Sequence, residues 1–380
     1  MRSPRAFLAA AALVAVAAVP AVADPSTTPN GPWPGENDPN LAALRSYEQL
    51  WDTLERIEQR ASGAFTLEPA PLQSNLGRDI PVVTIGDGPT GVTYIAQQHG
   101  NEYVVSEGIV ELARDISGNS AEARMIRDAL TVTLVPRVNV DGFDGDVTTR
   151  IGSPPWRQNY DPTYCTVSPC DPFYLRAVGF DINRYHSSTA NPYDHPYLAG
   201  DDDLNPVPES IAMRLLYDQT QPDVVVDWHH QGTYVDDDGR MITGSTMWPN
   251  ATGEADARGI RPEFDDAIDR SKQAVSVLVD AVQDKGYANI TRYPGTTTPG
   301  IARNAYGLLG AASVLWEMRG GIGTQSNGNI TKTVTVAGKA LLVAAADGSL
   351  EDYSTDTAEA LPERGPGVSD PHDEGPPNDE

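Results

Sequence analysis

Five short runs rich in apolar and β-branched residues, IPVVTIG (80–86), VTYIAQQ (92–98), LTVTLVPRVNV (130–140), DVVVDW (223–228) and AASVLWE (311–317), alternate with stretches whose apolar residues recur at helical spacing. The helical stretches are VVSEGIVELARDI, PESIAMRLLYDQ, RPEFDDAIDRSKQAVSVLVDAVQDKG and, last, KTVTVAGKALLVAAAD. Strands this apolar cannot leave a face in water, and connections that contain a helix let neighbouring strands run parallel. The alternation restricts the chain to an α/β domain with a largely parallel sheet covered on both faces. Upstream, Asp38-Pro39 supplies a cap and a first-turn residue, and Leu41, Leu44, Leu50, Leu54 and Ile57 predict an amphipathic helix that opens the domain. Between Asp141 and Asp203, Pro and Gly interrupt any periodicity, which marks a loop district.

The two ends of the 380-residue chain read differently from its middle. MRSPRAFLAAAALVAVAAVPAVADPS has two arginines, a short alanine-rich apolar run and AVA before Asp24, the pattern of a secretory signal peptide over residues 1–23. No other apolar stretch of about 18 residues follows, so we expect a secreted, extracellular protein with no membrane anchor. Residues 24–40 read as a flexible arm and residues 347–380, rich in Pro, Gly and acidic side chains, as a disordered tail. One large domain over 41–346 remains. The formal charge of -26 argues against nucleic acid as a partner. In an oxidising compartment the only cysteines, Cys165 and Cys170, are expected to form a disulfide. We expect a monomer.

Polar residues interrupt the pattern at three strand ends. His99 and Glu102 follow VTYIAQQ, Asp227, His229 and His230 close DVVVDWHHQG, and Glu317 ends SVLWE. Ligands in α/β sheets gather beyond the carboxyl ends of strands, so these imidazoles and carboxylates are placed to converge. Catalytic zinc takes three protein ligands and keeps a position open; two His and one Glu suit it and leave a second Glu as base. Strand alternation puts Asp227 and His229 on one face, which favours His229 over His230 as ligand. His186, His195 and His372 read as surface or loop residues. DDDL at 201 and VDDDG at 235 lack calcium-loop spacing and read as solvated acidic turns.

From about Tyr47 to Gly320 the chain resembles the zinc metallocarboxypeptidases, peptidase family M14. SNLGRDIPVVTIG, HGNE, NVDGFD, GFDINRYH, DWHHQG and WEMRG carry the resemblance in family order. It implies a carboxypeptidase-like three-layer α/β/α fold with a mixed, largely parallel central sheet, and one zinc ion per chain held by His99, Glu102 and His229. It further implies Asp181 as the carboxylate behind His99, Asn183 and Arg184 as the grip on a substrate's free α-carboxylate, and Glu317 as general base and acid. Peptides with a free C-terminal carboxylate are then the substrates.

The family's oxyanion arginine has no direct counterpart, because WRQNY carries Tyr160 at its place. Arg157 and Arg176 are the two candidates, with Arg176 preferred. The family's mobile tyrosine has candidates in Tyr293 and Tyr306. Ala302 aligns roughly with the side-chain specificity position, and Arg303 beside it can favour an acidic C-terminal residue. Two other functions stay open: a zinc amidohydrolase acting on cell-wall peptides or N-acyl amino acids, since HGNE also resembles the metal motif of related deacylases, and a non-catalytic binding module that keeps the fold. The signal-peptide reading is tested by N-terminal sequencing of exported protein, which should begin at Asp24; retention of residues 1–23 contradicts it.

Overall fold

The computed structural model describes residues 44–144, 157–159, 175–176, 179–196, 204–283, 286, 288–319 and 327–367. The expected signal peptide, the arm at 24–40, Cys165, Cys170, Tyr160, His372 and the acidic run at 201–203 lie outside the described residues. Among the described residues no helix is long and apolar enough to cross a membrane.

The opening helix α1 spans Tyr47–Glu58 and starts at Ser46, later than the Asp38-Pro39 signal suggests. The Ser46 hydroxyl accepts from the Gln49 N–H, and the Gln49 side chain accepts from the Ser46 N–H at 3.0 Å. This reciprocal cap satisfies donors that the first turn otherwise leaves orphaned. Then follow β1 (Phe65–Pro69), β2 (Pro81–Ile85), β3 (Thr90–Ala96), α2 (Val104–Ile116), α3 (Ala121–Ala129), β4 (Leu130–Val135) and α4 (Val140–Asp144). The short strands β5 (Leu175–Arg176) and β6 (Gly179–Phe180) pair with each other, and α5 (Pro208–Thr220) leads to β7 (Val224–Gln231). The second half holds β8 (Gly244–Met247), α6 (Thr252–Arg258), α7 (Arg261–Gln283), β9 (Ile290–Arg292), α8 (Ala302–Leu308), β10 (Ala312–Arg319), α9 (Asn327–Ala346) and α10 (Asp356–Glu359).

Eight strands form one sheet in the order β1-β2-β4-β3-β7-β10-β8-β9. Its centre, β4-β3-β7-β10, is parallel, as is β8/β9; the β1/β2, β2/β4 and β10/β8 pairs are antiparallel. The sheet is therefore mixed, as expected. Alternation divides its core in two: Val224, Val226, Trp228, Val314 and Trp316 pack with α1, α2, α7 and α9, while Val225 and Ile95 pack with α5 and α8. Asp227, His229 and Glu317 alternate onto the second face.

Residues 347–367, read from composition as part of an unstructured tail, instead fold back on the domain. Ala358 and Leu361 are buried in the main core. The Ala358 N–H donates to Ser276 Oγ at 3.1 Å, and the Tyr353 and Thr357 hydroxyls both reach Asp280 at 2.9 Å, all on α7. A few apolar and hydroxyl side chains at matched positions suffice to dock a segment whose average composition is polar. Residues 368–380 lie outside the described residues.

Helix α2 meets α9 through Gly108, where a methyl group would stand 2.6 Å from Val334 Cβ. Helix propensity alone favours alanine at this site by about 1 kcal/mol. Overpacking against a β-branched neighbour outweighs that, so Gly108→Ala should lower unfolding stability by roughly 1–3 kcal/mol in chemical denaturation. A gain in stability contradicts the close contact.

Candidate metal centre

At the end of β3 the backbone leaves the sheet through Gln97, which adopts φ 53, a left-handed conformation uncommon for a residue with a side chain. Its amide holds the turn: Gln97 Nε2 donates to Gly100 O and Arg137 Nε donates to Gln97 Oε1, both at 2.9 Å. The Glu102 N–H then donates to His99 O at 3.0 Å, which folds Glu102 back beside His99 just before α2. From β7, two strands away from β4, His229 joins them on the α5/α8 face.

The three side chains converge. His99 Nδ1 lies 2.7 Å from Glu102 Oε1, His229 Nδ1 lies 2.7 Å from Glu102 Oε2, and the two Nδ1 atoms are 3.2 Å apart. Two nitrogens bound about 2.0–2.1 Å from one tetrahedral zinc sit about 3.3 Å from each other, so the spacing fits that ion. Behind each ring stands a carboxylate: Asp181 Oδ1 is 2.9 Å from His99 Nε2 and Asp227 Oδ2 is 2.7 Å from His229 Nε2. Each imidazole can then donate its Nε2 proton outward and turn the Nδ1 lone pair inward. All five side chains are buried.

Burial alone raises the pKa of Glu102, but the two imidazoles facing it hold it well below the usual carboxylate range. Asp181 is likewise pushed up by burial and held well down by Arg157, His99 and Arg184. Arg157 Nε donates to Asp181 Oδ2 at 3.0 Å, and its Nη1 is 3.4 Å from Glu102 Oε1, so this arginine stands against the ligand cluster. The side chain of Arg176, the preferred alternative, lies outside the described residues.

Glu317 faces the same space across the β7/β10 register, in which it pairs with His229. It is buried, its Oε2 has no hydrogen-bond partner, and burial pushes its carboxyl up to about 7 despite the nearby His229. A buried carboxylate oxygen left unpaired is costly, and such atoms cluster where chemistry needs them. The surrounding cleft is lined by Asn183, Arg184, Arg303, Tyr293 and Arg364 as well as His99, Glu102 and Glu317. Asn183 Oδ1 accepts from the Ala302 N–H at 2.8 Å, and Asn183 Nδ2 donates to Asp227 Oδ2 at 3.2 Å. Arg184 Nη1 donates to Asn183 O at 2.9 Å, and Arg303 Nη2 donates to Thr296 O at 2.9 Å.

Two expectations need correction. Tyr306 does not reach the cleft, because α8 turns it into the core, where its ring stacks on Tyr217 at 5.1 Å and its hydroxyl meets His186 Nδ1 at 3.0 Å. His186 is correspondingly buried rather than superficial, and burial lowers its pKa to about 4. It continues a chain through Gln98, whose Oε1 lies 2.5 Å from His186 Nε2 and whose Nε2 donates to Asp227 at 2.7 Å. His230 points away from the ligands and accepts the Val105 N–H at 3.2 Å, capping α2. His195 stacks edge-on against Tyr185, and the 236–238 turn is tied internally, with Asp236 Oδ1 accepting from the Asp238 and Arg240 N–H groups.

Sequence reasoning missed two parts of the site. Asp227 was legible as sharing a face with His229, but its role behind the ring required the partner distances. Arg364 had no signal, since it lies in a stretch whose composition suggests no structure.

The family profile Peptidase_M14, described as zinc carboxypeptidase, matches residues 52–322, more than half of the chain. No curated protein matches the sequence significantly. Among solved structures, a metallo-carboxypeptidase from Burkholderia cenocepacia superimposes with TM-score 0.52 at 16% identity, covering 80% of this chain and 70% of that one. One from Pseudomonas aeruginosa, in complex with (2-guanidinoethylmercapto)succinic acid, gives 0.52 at 16%, covering 81% and 70%. Bovine thrombin-activatable fibrinolysis inhibitor, in complex with tick carboxypeptidase inhibitor, gives 0.55 at 14%, covering 80% and 98%. At such identities the superpositions establish the shared fold.

If Asp227 fixes the His229 tautomer, Asp227→Asn should weaken zinc binding about 10–100-fold in a chelator competition, with the fold retained by circular dichroism. Undiminished affinity contradicts that role.

Proposed function

The chain belongs to the zinc carboxypeptidase family of peptide hydrolases, and from that premise we propose that it is a secreted enzyme that removes the C-terminal residue of peptides. The reading of the site is that His99, Glu102 and His229 hold one zinc ion while Glu317 serves as proton acceptor and donor. One observation carries it: three buried donor atoms converge within 4.8 Å, and beside them a fourth acidic residue keeps an oxygen unpartnered. The secretory assignment rests on residues 1–23 alone.

Zinc held at such a site supplies Lewis-acid chemistry, making water acidic enough to lose a proton near neutral pH and polarising a carbonyl. Glu317 Oε2 takes the proton of the attacking water and passes it to the leaving amine nitrogen, so the C–N bond breaks with a neutral amine departing. The apolar walls formed by Leu315 and Ile301 exclude bulk water and keep the carboxyl poised for both transfers. Arg184 receives the substrate's terminal carboxylate, with Asn183 beside it. A guanidinium matches a carboxylate with two parallel hydrogen bonds, which fixes the scissile bond relative to Glu317. Arg157, held at the ligand cluster by Asp181, is the donor placed to stabilise the developing oxyanion. Arg303, anchored by Thr296, stands where it can meet an acidic C-terminal side chain.

Glu317→Gln is isosteric and spares the three ligands. It should retain zinc by elemental analysis and lose about 10²–10⁴-fold in kcat. On the wild-type enzyme, amidating the C-terminus of a good substrate should abolish most cleavage, because the grip of Arg184 needs the anion. Equal cleavage of the amide and the free acid rules out the exopeptidase reading.

A further inference from the structure

Arg364 lies beyond residues 52–322, the span that matches the family, yet it enters the same cleft as Glu317. The segment that carries it is fastened by its backbone. Arg292 N–H donates to Pro362 O at 2.7 Å, Arg364 N–H donates to Arg292 O at 2.9 Å, and Gly365 N–H donates to Val235 O at 3.0 Å. With Ala358 and Leu361 sunk in the core just upstream, the position of Arg364 is fixed by the fold.

Its side chain is braced as well. The guanidinium carbon lies 3.7 Å from the centre of the Tyr234 ring and 4.5 Å from that of Tyr293, and Nη1 donates to Gln231 Oε1 at 2.9 Å. Two ring faces and one amide orient the plane without neutralising it. Among the described residues no carboxylate forms an ion pair with Arg364, whereas Arg157 is paired with Asp181 and Glu102. Arg364 is half-buried, so its remaining N–H groups are open to whatever occupies the cleft.

Strand register supplies a ruler for what that occupant is. Along β7 and β10, Asp227 pairs with Leu315, His229 with Glu317, and Gln231 with Arg319. Successive residues on one face are about 6.5 Å apart. Asn183, whose Nδ2 lies 3.2 Å from Asp227 Oδ2 and 3.0 Å from His229 Nε2, sits on the inner side of His229; Glu317 and the Nδ1 of His229 that faces Glu102 mark the middle level, and Gln231 with Arg364 the outer. If the terminal carboxylate sits at the inner level beside Asn183 and Arg184, the peptide on the other side of the scissile bond passes the outer one.

We infer that Arg364 is a specificity-determining residue that pairs with an acidic side chain on the substrate residue preceding the scissile bond. The orientation of the peptide in this assignment rests on the carboxypeptidase reading above. A carboxylate meets the guanidinium through charge-assisted hydrogen bonds that a neutral amide of the same shape cannot match. The aromatic brace holds the arginine in place before substrate arrives, which removes much of the ordering cost.

The test uses two N-blocked peptides that share the same C-terminal residue and carry Glu or Gln at the penultimate position. Wild-type kcat/KM should favour the Glu peptide about tenfold, the size of one half-exposed charge-assisted contact. Arg364→Met should bring the ratio close to one, and Arg364→Lys should retain part of the preference. A merely structural role lowers both rates together and leaves the ratio at its wild-type value, which overturns the inference. Equal wild-type rates on both peptides overturn it too and leave the exopeptidase reading standing. Cleavage of neither peptide by the wild type overturns that reading and this inference with it.

Discussion

Two imidazoles are clamped from behind by buried carboxylates, and everything at the site follows from that constraint. Asp181 and Asp227 stand against the Nε2 atoms, so the Nδ1 atoms of His99 and His229 face one another and Glu102. Three electron-rich groups crowded together away from water repel one another unless a cation or protons lie among them. The fold thus stores a demand for positive charge at one point. Glu317 stands next to that point without joining the cluster, which is what a base requires.

The sheet is the device that delivers these groups. Because β3, β7 and β10 are parallel neighbours, their carboxyl ends open on the same side, and alternation sends Asp227, His229 and Glu317 to one face while Trp228 and Trp316 fill the core on the other. Gln97 supplies the turn that carries His99 off the end of β3. The second ring of partners, from Gln98 through His186 to Tyr306, ties the base of the site into the α5/α8 core, so Asp227 behind His229 is backed by packed side chains.

What the sequence discloses follows from how each feature is encoded. The central strands and long helices carry strong periodicity, and His99, Glu102, His229 and Glu317 break it at strand ends, so both were legible. Strands β1, β8 and β9 escaped notice because they are short and lie toward the sheet edges, where FTLEP, GSTM and ITR have little alternation to detect. Tyr306 misled because a place upstream of Glu317 says nothing about which way a short helix turns a ring. Arg364 was invisible for a different reason: an average over 34 residues of polar sequence hides the two apolar anchors, Ala358 and Leu361, that dock its segment.

A direct measurement of the central claim is the metal content of the protein after gel filtration, compared with that of a His229→Ala variant of matched secondary structure. The account requires close to one zinc per wild-type chain, removable by a chelator, and almost none in the variant. A wild-type chain that emerges without zinc when supplied with it, or a variant that holds zinc as tightly as the wild type, contradicts it.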